Sequence, residues 1–182
     1  MTSPYAFYQF WFNVEDAEVG QLLRVFTFRT REEIAALERE VAERPAARAA
    51  QQTLAEDATT LVHGAEECER VVAASRALFG QGELHALDER TLAAALAEVQ
   101  KRTVTVGKEE QLPPLVDLLA GSGIVAGKSA ARRLIAEGGA YLNNRKVTDA
   151  NARPDHADLL HGRFLVLRRG KRTVGGVEVA AG

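Results

Sequence analysis

The sequence predicts an α+β chain: an all-α N-terminal helical domain, then a small α+β domain with short helices and a small β-sheet. Three observations carry this. Apolar residues recur at helical spacing through the first hundred positions. Between Lys101 and Pro114 that pattern breaks, with Gly107, a run of charges and a Pro-Pro pair. Beyond it, short apolar runs flank turn residues at Asn143-Asn144 and again near Gly170. The expected division is a helical domain over 1–100, a linker over 101–113 and a second domain over 114–182.

The elements follow in order. Ser3-Pro4 suits a helix start, because proline's missing N–H falls where the first turn has no partner for it. The aromatic run Tyr5, Phe7, Tyr8, Phe10, Trp11 and Phe12 belongs to that helix. Val19, Leu22, Leu23 and Phe26 make the stripe of a second helix. Thr30-Arg31-Glu32-Glu33 has the form of a capping box and introduces a third stripe of Ile34, Leu37 and Val41. After Pro45 a long helix runs to His63, with Leu54, Ala58, Leu61 and Val62 expected inward and Gly64 as its stop. Cys68, Val71, Val72, Leu78 and Phe79 form the next stripe, closed by Gly80. Asp88 caps a further helix carrying Leu92, Leu96 and Val99.

In the second domain Pro114 to Leu119 has helical spacing, and Ser129 to Glu137 is a short helix stopped by Gly138-Gly139. Ala140 to Leu142 and Arg145 to Val147 flank Asn143-Asn144, which tolerates the positive φ of a tight hairpin. Phe164 to Leu167 is expected as a strand, Arg168 to Arg172 as a basic turn, and Val174 to Val179 as a last, glycine-weakened strand.

Composition narrows the function. The formal net charge is only −2 over 182 residues, yet the average hides a division. Met1 to Val106 holds 17 acidic and 11 basic residues, whereas Ile124 to Arg172 holds 4 acidic and 11 basic. Such asymmetry points to a polyanion partner for the second half. Cys68 is the single cysteine, which excludes an intramolecular disulfide and fits a cytoplasmic protein. No apolar run is long enough for a membrane span. The four histidines show no metal-ligand spacing, and no acid–base or nucleophile constellation marks a catalytic residue.

The stretch from Gly121 to Val147 raises the question of a nucleotide-phosphate loop, since it contains Gly127-Lys128-Ser129 before a helix. Such a loop needs a glycine five positions ahead of Gly127, and Ser122 stands there, with Gly121 and Gly123 both out of register. ATP is therefore rejected as the ligand. Face by face, Ala130, Ala131, Leu134 and Ile135 cluster on one side of this helix and Arg132, Arg133, Ala136 and Glu137 on the other. Lys128 at the helix start and Arg145 and Lys146 from the hairpin extend the positive surface. A solvated face, with Arg133 and Glu137 paired at i, i+4, is the plain alternative. The whole set favours RNA, whose phosphates guanidinium groups grip bidentately.

The residues also carry a family resemblance. Lys128-Ser129-Ala130-Ala131-Arg132-Arg133-Leu134-Ile135 followed by Gly138-Gly139-Ala140-Tyr141-Leu142-Asn143 resembles the RNA-binding module of ribosomal small-subunit protein four. Thr2-Ser3-Pro4-Tyr5-Ala6-Phe7-Tyr8-Gln9-Phe10-Trp11, Phe26-Thr27-Phe28, Glu32-Glu33-Ile34, Leu61-Val62-His63-Gly64 and Leu78-Phe79-Gly80 resemble the segment after the catalytic domain of bacterial tyrosyl-tRNA synthetases. The resemblance covers nearly the whole chain in the right order. Gly127 stands where the family usually has serine, Asn144 where it has glycine, and Arg29 where it more often has an apolar residue.

The resemblance implies a tRNA-binding C-terminal half of that enzyme, with the helical part at the anticodon arm and the second domain at the anticodon stem and variable arm of tyrosine tRNA. It implies RNA-binding positions at Lys128, Ser129, Arg132, Arg133, Asn143, Arg145, Lys146, Arg168, Arg169, Lys171 and Arg172. The family's His-x-Gly-His and Lys-Met-Ser-Lys-Ser-type motifs do not occur here, so ATP and tyrosine are expected to bind a catalytic domain absent from this chain, and no cofactor is expected in it. Family dimer contacts are expected largely in that missing domain. The alternative is a stand-alone RNA-binding regulator acting on ribosomal or structured RNA.

Overall fold

The structure is a computed structural model that describes residues 2–106 and 111–181. The chain divides into two compact units, Met1–Val72 and Ala73–Gly182. The division falls inside a helix, well before the expected linker.

In the first unit α1 (Pro4–Phe12) starts as its sequence dictates: the Ser3 hydroxyl accepts from the Ala6 N–H at 3.1 Å, with proline in the first turn. In α2 (Asp16–Phe26) Val19 and Leu23 are buried. The capping box forms at the head of α3 (Arg31–Glu43): Thr30 Oγ1 accepts from Glu33 N–H, and Glu33 Oε2 accepts from Thr30 N–H at 2.7 Å. Pro45–Ala47 is one 3-10 turn, after which α4 (Ala49–His63) runs to Gly64, whose φ of +87° ends it. Val19, Leu23, Ile34, Ala50 and Leu54 make this unit's core, and Ala58 is buried too. Leu61 and Val62 depart from expectation and face solvent, Leu61 at 63% exposure. The α4 stripe is narrower than its apolar residues suggested. Arg29 takes the Asp57 carboxylate in a two-pronged grip, Nε at 2.5 Å and Nη2 at 3.0 Å, which explains a charged residue at that position.

Helix α5 (Ala65–Leu78) carries buried Cys68, Val71 and Leu78 and stops at Gly80, φ +82°. Burial pushes the Cys68 thiol's pKa up, so it is an inert core residue. In the second unit Asp88 caps α6 (Glu89–Ala97), accepting from Thr91 N–H at 2.9 Å.

Gln100–Val106, with residues 101–106 expected as the start of a linker, is instead strand β1, and it pairs parallel with β5 (Thr173–Ala181) along its whole length. The charges at Lys101 and Arg102 drew attention from the β-branched run Thr103 to Val106, in which Arg102, Val104 and Val106 face inward by alternation. Residues 107–110, also within the expected linker, lie outside the described residues.

Helices α7 (Leu115–Gly121) and α8 (Lys128–Ala136) follow. Then come β2 (Ala140–Leu142), β3 (Arg145–Lys146) and β4 (Phe164–Arg169). The sheet order is β1-β5-β4-β2-β3. One face packs on α7 and α8 through Leu115, Leu118, Leu119, Ala131, Ile135, Leu165, Leu167 and Val177. On the other face Leu96 of α6 lies against Gly176. Within the described residues no helix is long and apolar enough to cross a membrane.

An ion-pair cluster ties β1 to β5 and to the residue before β4. Glu178 accepts from Lys101 Nζ at 2.7 Å and from Arg163 Nε at 3.0 Å. Lys101 first, then Arg163, hold the Glu178 carboxyl below its ordinary value. A depressed carboxylate stabilises the fold above the unfolded pKa, about 4.3, and that contribution is lost as pH falls through the folded value. Glu178→Gln is therefore expected to lower Tm by roughly 1–3 °C at pH 7. The gap should close on acidification below about pH 4. Thermal melts of both proteins from pH 7 to pH 2.5 check this, and a gap that persists at the acid end contradicts it.

Candidate nucleic-acid interface

The interface starts from α8. Ala131 and Ile135 are buried against the sheet, Ala130 and Leu134 pack beside them, and Arg132, Arg133, Ala136 and Glu137 are exposed. The two arginines thus stand in solvent on a helix anchored by its opposite face. Among the described residues neither makes an ion pair, so the Arg133–Glu137 neutralisation that helix spacing permits does not form. Ser129 is exposed in the first turn. Lys128 is exposed too, but its Nζ sits 2.8 Å from Asp117 Oδ1 on α7. An exposed pair of this kind contributes about 0–1 kcal/mol, so a phosphate can displace the carboxylate.

The helix ends in Gly138, φ +72°, whose N–H bonds to Ile135 O at 2.9 Å. A Cβ there would meet Lys146 Cε and Nζ at 2.6 Å, which places the Lys146 ammonium beside the α8 C-terminus. The hairpin turn is as expected: Asn143 and Asn144 have φ of +46° and +65°, the two positive values a tight turn of this twist needs. Arg145 and Lys146 are exposed on the edge strand β3.

Asn143 is different from a surface contact. Its amide donates to Asp158 O at 2.6 Å and its Oδ1 accepts from Val166 N–H at 2.9 Å, so both ends of the side chain are spent inside the module. The geometry gives it a stapling task.

Arg168 also departs from its expected place. Strand β4 continues through Arg169, so Arg168 lies in the sheet at 8% exposure. Its guanidinium stacks 4.2 Å from the Tyr141 ring centroid and donates to Gly170 O at 2.7 Å. A Cβ at Gly80, whose φ of +82° already favours glycine, would stand 2.7 Å from Nη2 of that guanidinium. Alternation explains the miss: in β4 the residues Phe164, Val166 and Arg168 share one face, and that face is covered. Only Gly170 to Arg172 form the turn, leaving Arg169, Lys171 and Arg172 exposed and without ion pairs among the described residues.

The first unit differs in degree. There Arg24, Arg29, Arg44 and Arg70 each hold a carboxylate, while Arg31 and Arg39 are exposed without an ion pair among the described residues. In the second unit Arg132, Arg133, Arg145, Lys146, Arg169, Lys171 and Arg172 hold none among the described residues. Exposed cations without counter-charges on the protein are what a polyanion requires. Sequence reasoning passed over Arg76, Arg90 and Arg153, which are likewise without an ion pair among the described residues. Each stands alone in the sequence, where no spacing signal could single it out. No group of three His, Cys, Asp or Glu side chains suited to a metal ion occurs among the described residues.

Comparison with known proteins gives this geometry a context. Residues 94–174 match the family model for the tyrosine–tRNA ligase SYY-like C-terminal domain. Residues 1–80 match the class I tRNA synthetases (W and Y). The tyrosine–tRNA ligase of Thermobifida fusca is 63% identical over 97% of this chain and 41% of that protein. That of Corynebacterium glutamicum is 50% identical over 98% of this chain and 42% of its own length. A C-terminally truncated mitochondrial tyrosyl-tRNA synthetase from Aspergillus nidulans shares 36% identity, with a TM-score of 0.41 over 42% of this chain and 22% of the other. The chain thus spans about two fifths of the length of the curated relatives it matches.

Proposed function

The chain belongs to the tyrosine–tRNA ligase family, whose C-terminal region it matches, and we propose on that premise that it is a tRNA-binding portion recognising tyrosine tRNA. The observation that supports the reading best is the set of counter-ion-free cations on the second unit, centred on Arg132 and Arg133 of α8. Phosphates on an RNA stem lie at regular intervals, and guanidinium groups held by a buried helix face can meet them without reordering. On this reading Lys128 exchanges Asp117 for phosphate. Arg145 and Lys146 extend the footprint along the hairpin, and Arg169, Lys171 and Arg172 add a second patch. Asn143 and Arg168 act behind that surface by fixing the hairpin and the end of β4.

ATP and tyrosine binding are assigned to residues outside this chain, and the chain alone is expected to form no tyrosyl-adenylate. Two measurements test the reading. The purified chain should retain tyrosine tRNA above other RNAs from a total bacterial RNA pool, as read by sequencing. Preferential retention of ribosomal RNA would favour a regulator instead. Tyrosine-dependent exchange of pyrophosphate into ATP by the chain alone should be at background.

A further inference from the structure

The second basic patch borders a groove that phosphates alone do not explain. It has a volume of about 510 Å³, within the range of sites that take a small molecule or one nucleotide. Its floor is apolar: the Phe79 ring just past the end of α5, Val99, and Ile124 and Val125 from the bend between α7 and α8. Its rim carries Arg169 and Arg172, one on each side of the Gly170 turn, both exposed and with no carboxylate partner among the described residues. The bend is held open by Gly123 at φ +82°. No hydrogen bond to the N–H groups of Ile124, Val125 or Ala126 is found among the described residues.

An RNA duplex cannot use such a floor. It presents phosphates and sugars outward and keeps the flat apolar faces of its bases stacked inside. An unpaired nucleotide turned out of its strand presents both matching parts at once: a π-face for the aromatic and aliphatic floor and a phosphate for the arginines. Resting on the tRNA-binding reading, and extending it, we infer that this groove binds one extruded, unpaired nucleotide of the RNA. The α8 surface and the groove then divide the task, with Arg132 and Arg133 gripping stem phosphates and the groove taking a looped-out base. Such a site would distinguish an RNA with an unpaired nucleotide at the right distance from a plain stem.

The test uses the full chain with two probes, a fluorescein-labelled single-stranded hexaadenylate and a blunt RNA hairpin without unpaired stem nucleotides, followed by anisotropy. Ala126 is exposed on the groove wall and outside any helix or strand, so Ala126→Trp fills the groove without touching the core. The expected result is at least a tenfold loss of hexaadenylate affinity in Ala126→Trp and a severalfold loss in Arg172→Ala. Hairpin affinity in Ala126→Trp should stay within twofold, and circular dichroism melts should match wild type. Adenosine monophosphate should compete with the hexaadenylate and not with the hairpin. Hexaadenylate binding unchanged in a folded Ala126→Trp overturns the inference while leaving stem binding intact. Failure of the wild-type chain to bind either tRNA or hairpin overturns the tRNA-binding reading itself.

Discussion

Replacing Arg132 and Arg133 together by alanine is expected to cut tRNA affinity on the order of a hundredfold while leaving the fold untouched. Both side chains are exposed and neither holds a carboxylate among the described residues, so their removal breaks nothing inside the protein. A hydrogen bond to a charged group contributes about 1.5–3 kcal/mol, which sets roughly a tenfold or larger loss for each arginine. The salt dependence carries the sharper signature. Each phosphate that is no longer neutralised should flatten the slope of log affinity against log salt by about 0.7–0.9, so the double variant should shed about 1.4–1.8. Titrating tRNA at several salt concentrations, with circular dichroism as the folding control, reads both quantities. A folded variant with unchanged affinity and slope would return the two arginines to an ordinary solvated helix face.

The helices were legible because their signals are local. Ser3-Pro4, the Thr30–Glu33 capping box, Gly64, Gly80 and Asp88 each act within a few residues, and each stands in the structure where spacing put it. Amphipathic spacing likewise separated Ala131 and Ile135 from Arg132 and Arg133 without any tertiary information. What sequence could not convey is which faces other elements cover. Phe26 is 44% exposed and Leu61 63%, since a stripe's width depends on neighbours brought in from afar. The β1–β5 pairing joins Gln100 to Gly175 and is non-local in the same sense.

The site was legible in the same proportion. Charge density identified the region, and helix periodicity identified Arg132 and Arg133 as surface residues. Arg168 looked equivalent to Arg169, Lys171 and Arg172 because the length of β4 decides the difference: Arg168 lies on the covered face of the strand, Arg169 on the other, and Lys171 and Arg172 in the turn beyond it. Asn143 looked like an RNA-binding position because the family pattern names it, whereas its two hydrogen bonds make it a brace. The groove beneath Arg169 and Arg172 had no signature at all, since Phe79, Val99 and Val125 meet only after folding.

Changing Ile135 to alanine should act on the same RNA measurement by the opposite route. Ile135 is 1% exposed and belongs to the core that joins α7, α8 and the sheet. Truncating a buried isoleucine typically costs about 2–5 kcal/mol, because transfer free energy is lost and a cavity remains. A domain of ordinary stability holds only about 5–15 kcal/mol, so the melt should shift down by about ten degrees or more. The neighbouring Leu134 is half-buried at the helix edge, with its Cδ1 2.7 Å from the point where a Cβ on Gly139 would stand. Leu134→Ala should therefore cost less than Ile135→Ala. In both variants the arginines remain, so the molecules still folded should bind with the wild-type salt slope, and affinity should recover on cooling as the folded fraction rises. That pairing separates the two faces of one helix: loss of slope without loss of fold for Arg132 and Arg133, loss of fold without loss of slope for Ile135. A stable Ile135→Ala protein that binds with a flattened slope would mean that α8 meets the RNA through a different face.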